Sequence, residues 1–160
     1  MDDKKKKHIK TFSEFLADRK KSEPEKIENK VDWYERKTLW LKSIDNLYNK
    51  VDIIIVNNYR NDGFEVRSKK EKVRIFEEYI GAYDVENYYI KADNFEIKFF
   101  PVGTIIIGAY GRVNMVLTND TVKLVLHNWN DWRIVSGIGS TMKLIVFNEE
   151  NIVKIFQENL

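Results

Sequence analysis

Residues 95–115 read FEIKFFPVGTIIIGAYGRVNM, and the passage marks the second half of the chain as a sheet. Phe95, Ile97 and Phe99 alternate with Glu96 and Lys98, the two-residue period of a strand with one buried face. Three of the seven glycines and one of the two prolines follow, around the β-branched run Thr104-Ile-Ile-Ile107. Together they read as strand, turn and strand.

Working outward, the same period predicts strands at 64–68, 73–78, 85–91, 95–100, 104–108, 112–117, 122–128, 132–135 and 142–147. The clearest pair is Arg112–Leu117 with Val122–His127. Val113, Met115 and Leu117 alternate on one strand, and Val122, Leu124 and Leu126 on the other. Thr118-Asn-Asp-Thr121 suits the tight turn between them. Asn148 is placed to cap a terminal helix over 149–159, with Glu149 and Glu150 in its first turn. Ile152, Ile155, Phe156 and Leu160 form that helix's apolar face.

Upstream of Gly63 the period is helical. Thr11-Phe-Ser-Glu14 fits a capping box, opening a short helix with Phe12, Phe15 and Leu16 on one face. Ser22-Glu-Pro-Glu25 is a second start signal. The long helix beyond it carries Trp33, Trp40, Ile44, Leu47, Val51 and Ile54 on one stripe. Val51-Asp-Ile-Ile-Ile-Val56 has the propensity of a strand, but the stripe runs through it and favours helix. Asn61-Asp-Gly63 ends the element.

The expected architecture is α+β: N-terminal helices, one long, packed on a strongly curved, mainly antiparallel sheet of seven or more strands, with a short C-terminal helix. Residues 1–10 read as a disordered basic leader and 11–160 as one globular domain, helical over 11–60 and β-rich over 64–147.

Composition narrows the function classes. The chain has no cysteine, which excludes disulfides, thiolate metal sites and cysteine nucleophiles and suits a reducing compartment. No apolar run reaches the roughly 18 residues of a membrane span. The expected location is therefore the cytoplasm, with no membrane partner. Basic and acidic residues number 27 and 25, so there is no overall field for a polyanion. Nucleic acid is expected only at the basic leader, through Lys4–Lys7 with Lys10, Arg19, Lys20 and Lys21 behind it. Glu14, Asp18, Glu23, Glu25 and Glu28 offset that cluster, and a solvated tail is the plainer reading.

The sharpest catalytic idea is a metal-dependent nuclease, with Glu96-Ile-Lys98 on a strand and Asp84 or Asp93 upstream. Carboxylates would hold Mg²⁺ and the lysine would activate water. The plainer account puts Phe95, Ile97 and Phe99 inward and Glu96 and Lys98 in water. The hairpin after Arg112 offers Asn114 where such a site needs a carboxylate, so a related architecture would be degenerate. Gly103, Gly108 and Gly111 lack the lysine of a phosphate loop, and Gly137-Ile-Gly139 lacks a third glycine. His127 with Asp131 is the one general-base pair available, and His8 lies in the leader. These patterns call for no catalytic residue, metal or cofactor.

Pro101–Met115, followed by Val122-Lys-Leu-Val-Leu126 and preceded by Glu77-Glu-Tyr-Ile-Gly-Ala-Tyr83, resembles a pattern in a family of small uncharacterised bacterial proteins. The resemblance covers the middle third of the chain and implies a bacterial source. In that pattern an Asp often stands where this chain has Asn114, and no catalytic residue carries over.

The leading expectation is a non-catalytic protein-interaction or regulatory module whose partner is another protein. Hot spots are rich in Trp, Tyr and Arg, and the candidate surface is Tyr110, Arg112, Trp129 and Trp132 at one sheet end. The third expectation is a small-ligand binder, its pocket lined by Tyr79, Tyr83, Phe95, Phe99 and Trp132.

Overall fold

A computed structural model describes residues 11–14, 31–93 and 95–160. The chain divides into two compact units, Met1–Asp32 and Trp33–Leu160. In the first, the Thr11 amide donates to Glu14 Oε1 at 2.9 Å and the Glu14 amide to Thr11 Oγ1 at 3.1 Å, the reciprocal bonds of the expected capping box. Phe15, Leu16, the Ser22–Glu25 start signal and the Lys4–Lys7 leader lie outside the described residues.

The second unit opens with helix α1, Trp33–Val51, whose buried stripe is Trp40, Ser43, Ile44, Leu47, Tyr48 and Val51. The chain stays helical through Val51–Val56, as the stripe predicts, but with a change of pitch. Asp52–Val56 is a π-turn in which the Asn57 amide reaches back to the Asp52 carbonyl. One extra residue in that turn rotates the downstream part of the helix, so Ile55 and Val56 are buried where the uninterrupted stripe pointed to Ile54. Helix α2, Asn57–Asn61, ends the helical part.

Seven strands come next in an antiparallel meander, each paired with its sequence neighbours. They are β1 Val66–Glu77, β2 Gly81–Ala92, β3 Phe95–Gly103, β4 Arg112–Val116, β5 Thr121–Asn128, β6 Asp131–Ser136 and β7 Lys143–Val146. The two strands predicted at 64–68 and 73–78 are one long strand, because polar Lys69–Lys72 between them stays in register with β2. The strand predicted at 104–108 is a loop with a single Ile106–Ala109 bridge. The expected β4–β5 hairpin forms, with Met115 opposite Val122.

β1 and β2 pair without a slip from Val66–Ala92 to Glu77–Gly81, yet the buried set changes parity. Tyr88, Ile90 and Ala92 are buried at one end, Tyr83 and Val85 at the other. The ribbon therefore turns opposite faces to the core at its two ends, as strong twist in a two-stranded ribbon allows.

α1 lies on the inner face of the sheet, and the core between them includes Trp40, Leu47, Phe99, Met115, Leu124, Leu126, Trp132 and Ile134. Buried polar tips in this layer are paired. The Trp40 indole donates to the Tyr83 hydroxyl at 3.0 Å and the Trp132 indole to the Ser43 carbonyl at 2.9 Å. The Tyr48 hydroxyl donates to the Glu86 carbonyl at 2.6 Å, and that of Tyr88 to Asp52. Helix α3, Glu149–Asn159, is capped as predicted, the Asn151 amide donating to the Asn148 side chain at 2.9 Å. It buries Ile152 against the core. No described helix is long and apolar enough to cross a membrane.

Candidate partner-binding surface

The loop between β3 and β4, residues 104–111, is held from below by two charged side chains of distant sequence. Thr104 is fully buried, so its polar groups need partners inside the protein. Its amide donates to both Glu77 carboxylate oxygens, at 3.0 and 3.1 Å, and the Ile105 amide to Glu77 Oε1 at 2.9 Å. Its hydroxyl donates to the Tyr110 carbonyl at 2.5 Å and accepts from Arg36 Nε at 3.1 Å. Arg36 Nη2 donates to the Thr104 carbonyl at 2.7 Å and to the Ala109 carbonyl at 3.4 Å. The β-branched run leaves the sheet here because Glu77 and Arg36 take the groups that a strand neighbour would otherwise pair.

The glycines of this passage are explained by close approach. A Cβ on Gly103 would stand 2.6 Å from Glu77 Oε1, and one on Gly111 would collide with the Trp40 ring. Glu77 also accepts from the Tyr83 hydroxyl. Burial first, and then this carboxylate, hold the Tyr83 phenol well above its ordinary pKa, so it stays a donor.

Above this clamp runs a row of rings. Tyr79 stacks on Trp33 at 5.3 Å, the Arg36 guanidinium lies 5.9 Å from the Trp33 ring and 5.2 Å from that of Tyr110, and Tyr110 meets Trp129 at 4.6 Å. Tyr79 takes a left-handed backbone conformation, φ 71°, rare for a bulky residue, and the residue is 69% exposed. Beside the row the loop displays Ile105 and the fully exposed Ile107, at 103%.

Of the four residues predicted for this surface, Tyr110 and Trp129 are in ring contact. Trp132 is a correction: at 1% exposure it packs against Trp40 in the core, so it offers no surface. Arg112 lies on the outer face of β4, opposite Val125. Arg36, Glu77, Thr104 and Trp33 complete the site without having been singled out for it. Of these only Glu77 has a sequence signal, Gly103, whose missing Cβ leaves room for its carboxylate.

Of the nuclease candidates Asp84 stands apart, whereas Asp93, Glu96 and Lys98 line one surface hollow with Lys91 and Phe95. Asp84 pairs with Arg74 at 3.1 Å, and seven residue steps along β2, about 23 Å of strand, separate it from Lys91, the partner of Glu96. Glu96 and Lys98 pair with each other at 3.6 Å on the face opposite Ile97 and Phe99, and Asp93 sits in the β2–β3 turn. Among the described residues no three His, Asp or Glu side chains are grouped to hold a metal ion. Asp131 is bound by Arg133 at 2.9 Å, which holds its carboxyl below the usual range, while His127 is exposed. Phe99, Tyr83 and Trp132 pack in the core, Tyr79 is on the surface, and Phe95 meets Tyr59 at 5.1 Å.

Comparisons with protein-family models, curated proteins and solved structures return no match for this chain.

Proposed function

We propose that this protein is a protein-interaction module whose docking surface is the 104–111 loop with the Tyr79–Trp33–Arg36–Tyr110–Trp129 row. The observation that carries the reading is a fully exposed isoleucine on a loop whose base is fixed by part-buried hydrogen bonds. A flexible apolar loop would lose entropy on binding, whereas one already ordered keeps that free energy for the partner. Trp, Tyr and Arg are the residue types that dominate interface energetics. The cysteine-free composition suits a reducing compartment, and the cytoplasm is the proposed location.

The test is affinity capture from the native cells with wild type, Ile107→Asp and Trp129→Ala, alongside thermal melts. Ile107→Asp changes only exposed surface, so stability should move by no more than about 0.5 kcal/mol. Trp129→Ala should weaken the interaction by about 2 kcal/mol or more. Capture of the same chains at undiminished yield by both folded variants would remove this surface as the interface.

A further inference from the structure

The outer face of the sheet, opposite α1, carries an arrangement that the docking loop does not use. Cross-strand register puts Arg67 directly opposite Lys91. It aligns Lys69, Tyr89 and Lys98 in one row across β1, β2 and β3. Phe100, Asn114 and Lys123 form another row, and Arg112, Val125 and Arg133 the next. Every row holds at least one cation, in a chain whose totals are nearly balanced, 27 to 25. Glu96 is the carboxylate within the rows, paired with Lys98. Glu71 lines one hollow with Lys69, Tyr89 and Lys91 and accepts from the Tyr89 hydroxyl, Asp93 lines another with Lys91 and Lys98, and Glu65 and Asp131 are held by Arg67 and Arg133.

Like charges directly across a strand pair are unfavourable, so Arg67 against Lys91 is a juxtaposition that a bound polyanion would relieve. In the middle of the face Tyr89 and Phe100 meet edge to face at 5.9 Å, both half-buried. Next to them Arg112 Nε and Asn114 Oδ1 are a buried donor and acceptor with no hydrogen-bond partner among the described residues. Cations spaced around exposed ring surface are what a single-stranded nucleic acid needs, its phosphates on the cations and its bases on the rings. Duplex bases are already stacked and would not use the rings.

We infer that this sheet face binds single-stranded nucleic acid, with phosphates against Lys69, Lys98 and Lys123 and bases stacked at Tyr89 and Phe100. The site is built from residues of the second unit and shares none with the docking loop.

Fluorescence polarisation of the full chain with a labelled 12-nucleotide oligo-dT and oligo-U tests it. For three to four phosphate contacts, affinity should fall about 15- to 60-fold between 50 and 200 mM salt. Lys69→Glu with Lys98→Glu should cost at least about tenfold and reduce that salt slope. Tyr89→Ala should cost about tenfold and leave the slope unchanged, and Tyr89→Leu, which keeps the packing, should behave alike. Three results would each overturn the inference: no binding at 50 mM salt, full binding by the folded double reversal, or duplex bound as tightly as single strand with no loss in either Tyr89 variant. Retention on phosphatidylserine vesicles without any oligonucleotide binding would overturn it as well.

Discussion

Thr104 shows how much of the site depends on single residues. Its amide, hydroxyl and carbonyl all have partners, drawn from a helix residue 68 positions away and a strand residue 27 positions away. Nothing in periodicity marks Arg36 or Glu77 as special, because each is one charge among many in a charge-rich chain. Tyr110 and Trp129 were legible because sequence placed them near a hairpin whose pairing was also legible. Trp132 faces inward because it alternates with Ile134 along β6, and that period decides its side over its residue type. The buried tyrosines make a further residue-scale prediction. Burial above all, and then its bond to Asp52, push the Tyr88 pKa up from 10.0 to about 12. The native state thus holds the proton more tightly than the unfolded chain. That contribution is complete below pH 10 and is lost as the pH climbs from 10 towards 12. The loss should approach about 1.4 kcal/mol per pH unit for this one phenol. Urea midpoints measured from pH 9 to 12 should fall less steeply in Tyr88→Phe than in wild type. Identical slopes would show that Tyr88 titrates normally.

Secondary-structure elements are legible in the sequence where packing and local pattern agree. The long helix, the β4–β5 hairpin and the capped α3 follow from apolar spacing and one asparagine. The exceptions have local physical causes. Polar Lys69–Lys72 interrupts the apolar alternation of β1 but not its pairing, since an edge strand can keep register through its backbone alone. The π-turn at Asp52–Val56 leaves no trace in a stripe drawn at 3.6 residues per turn. Such a turn is equivalent to one residue inserted into an α-helix. Deleting Ile53, which is 65% exposed, should therefore restore an ordinary helix with both flanking stripes still facing the core. Its melting temperature should stay within a few degrees of wild type, a change of about 1 kcal/mol. Deleting exposed Lys42 in the middle of α1 should instead rotate half the stripe by about 100° and abolish cooperative unfolding. Equal damage from the two deletions would contradict this account of the turn.

At the scale of the second unit, one helix covers the inner face of a seven-stranded meander, and the two proposed surfaces lie on the outer face and at a sheet end. The α+β class and the antiparallel sheet were readable from the switch between helical and strand periods near Gly63. The clamp beneath the 104–111 loop was not, because it joins three segments far apart in sequence: the start of α1, the end of β1 and the end of β3. The Glu77 and Arg36 bonds fix this loop before any partner arrives. Amide hydrogen exchange at Thr104 and Ile105 measures that directly, since both amides donate to the Glu77 carboxylate. Exchange at both should be slowed about a thousandfold or more, an opening free energy of about 4 kcal/mol, and the protection should vanish in Glu77→Ala while the central strands keep theirs. Exchange of these two amides at unprotected rates in the wild-type protein would contradict the account.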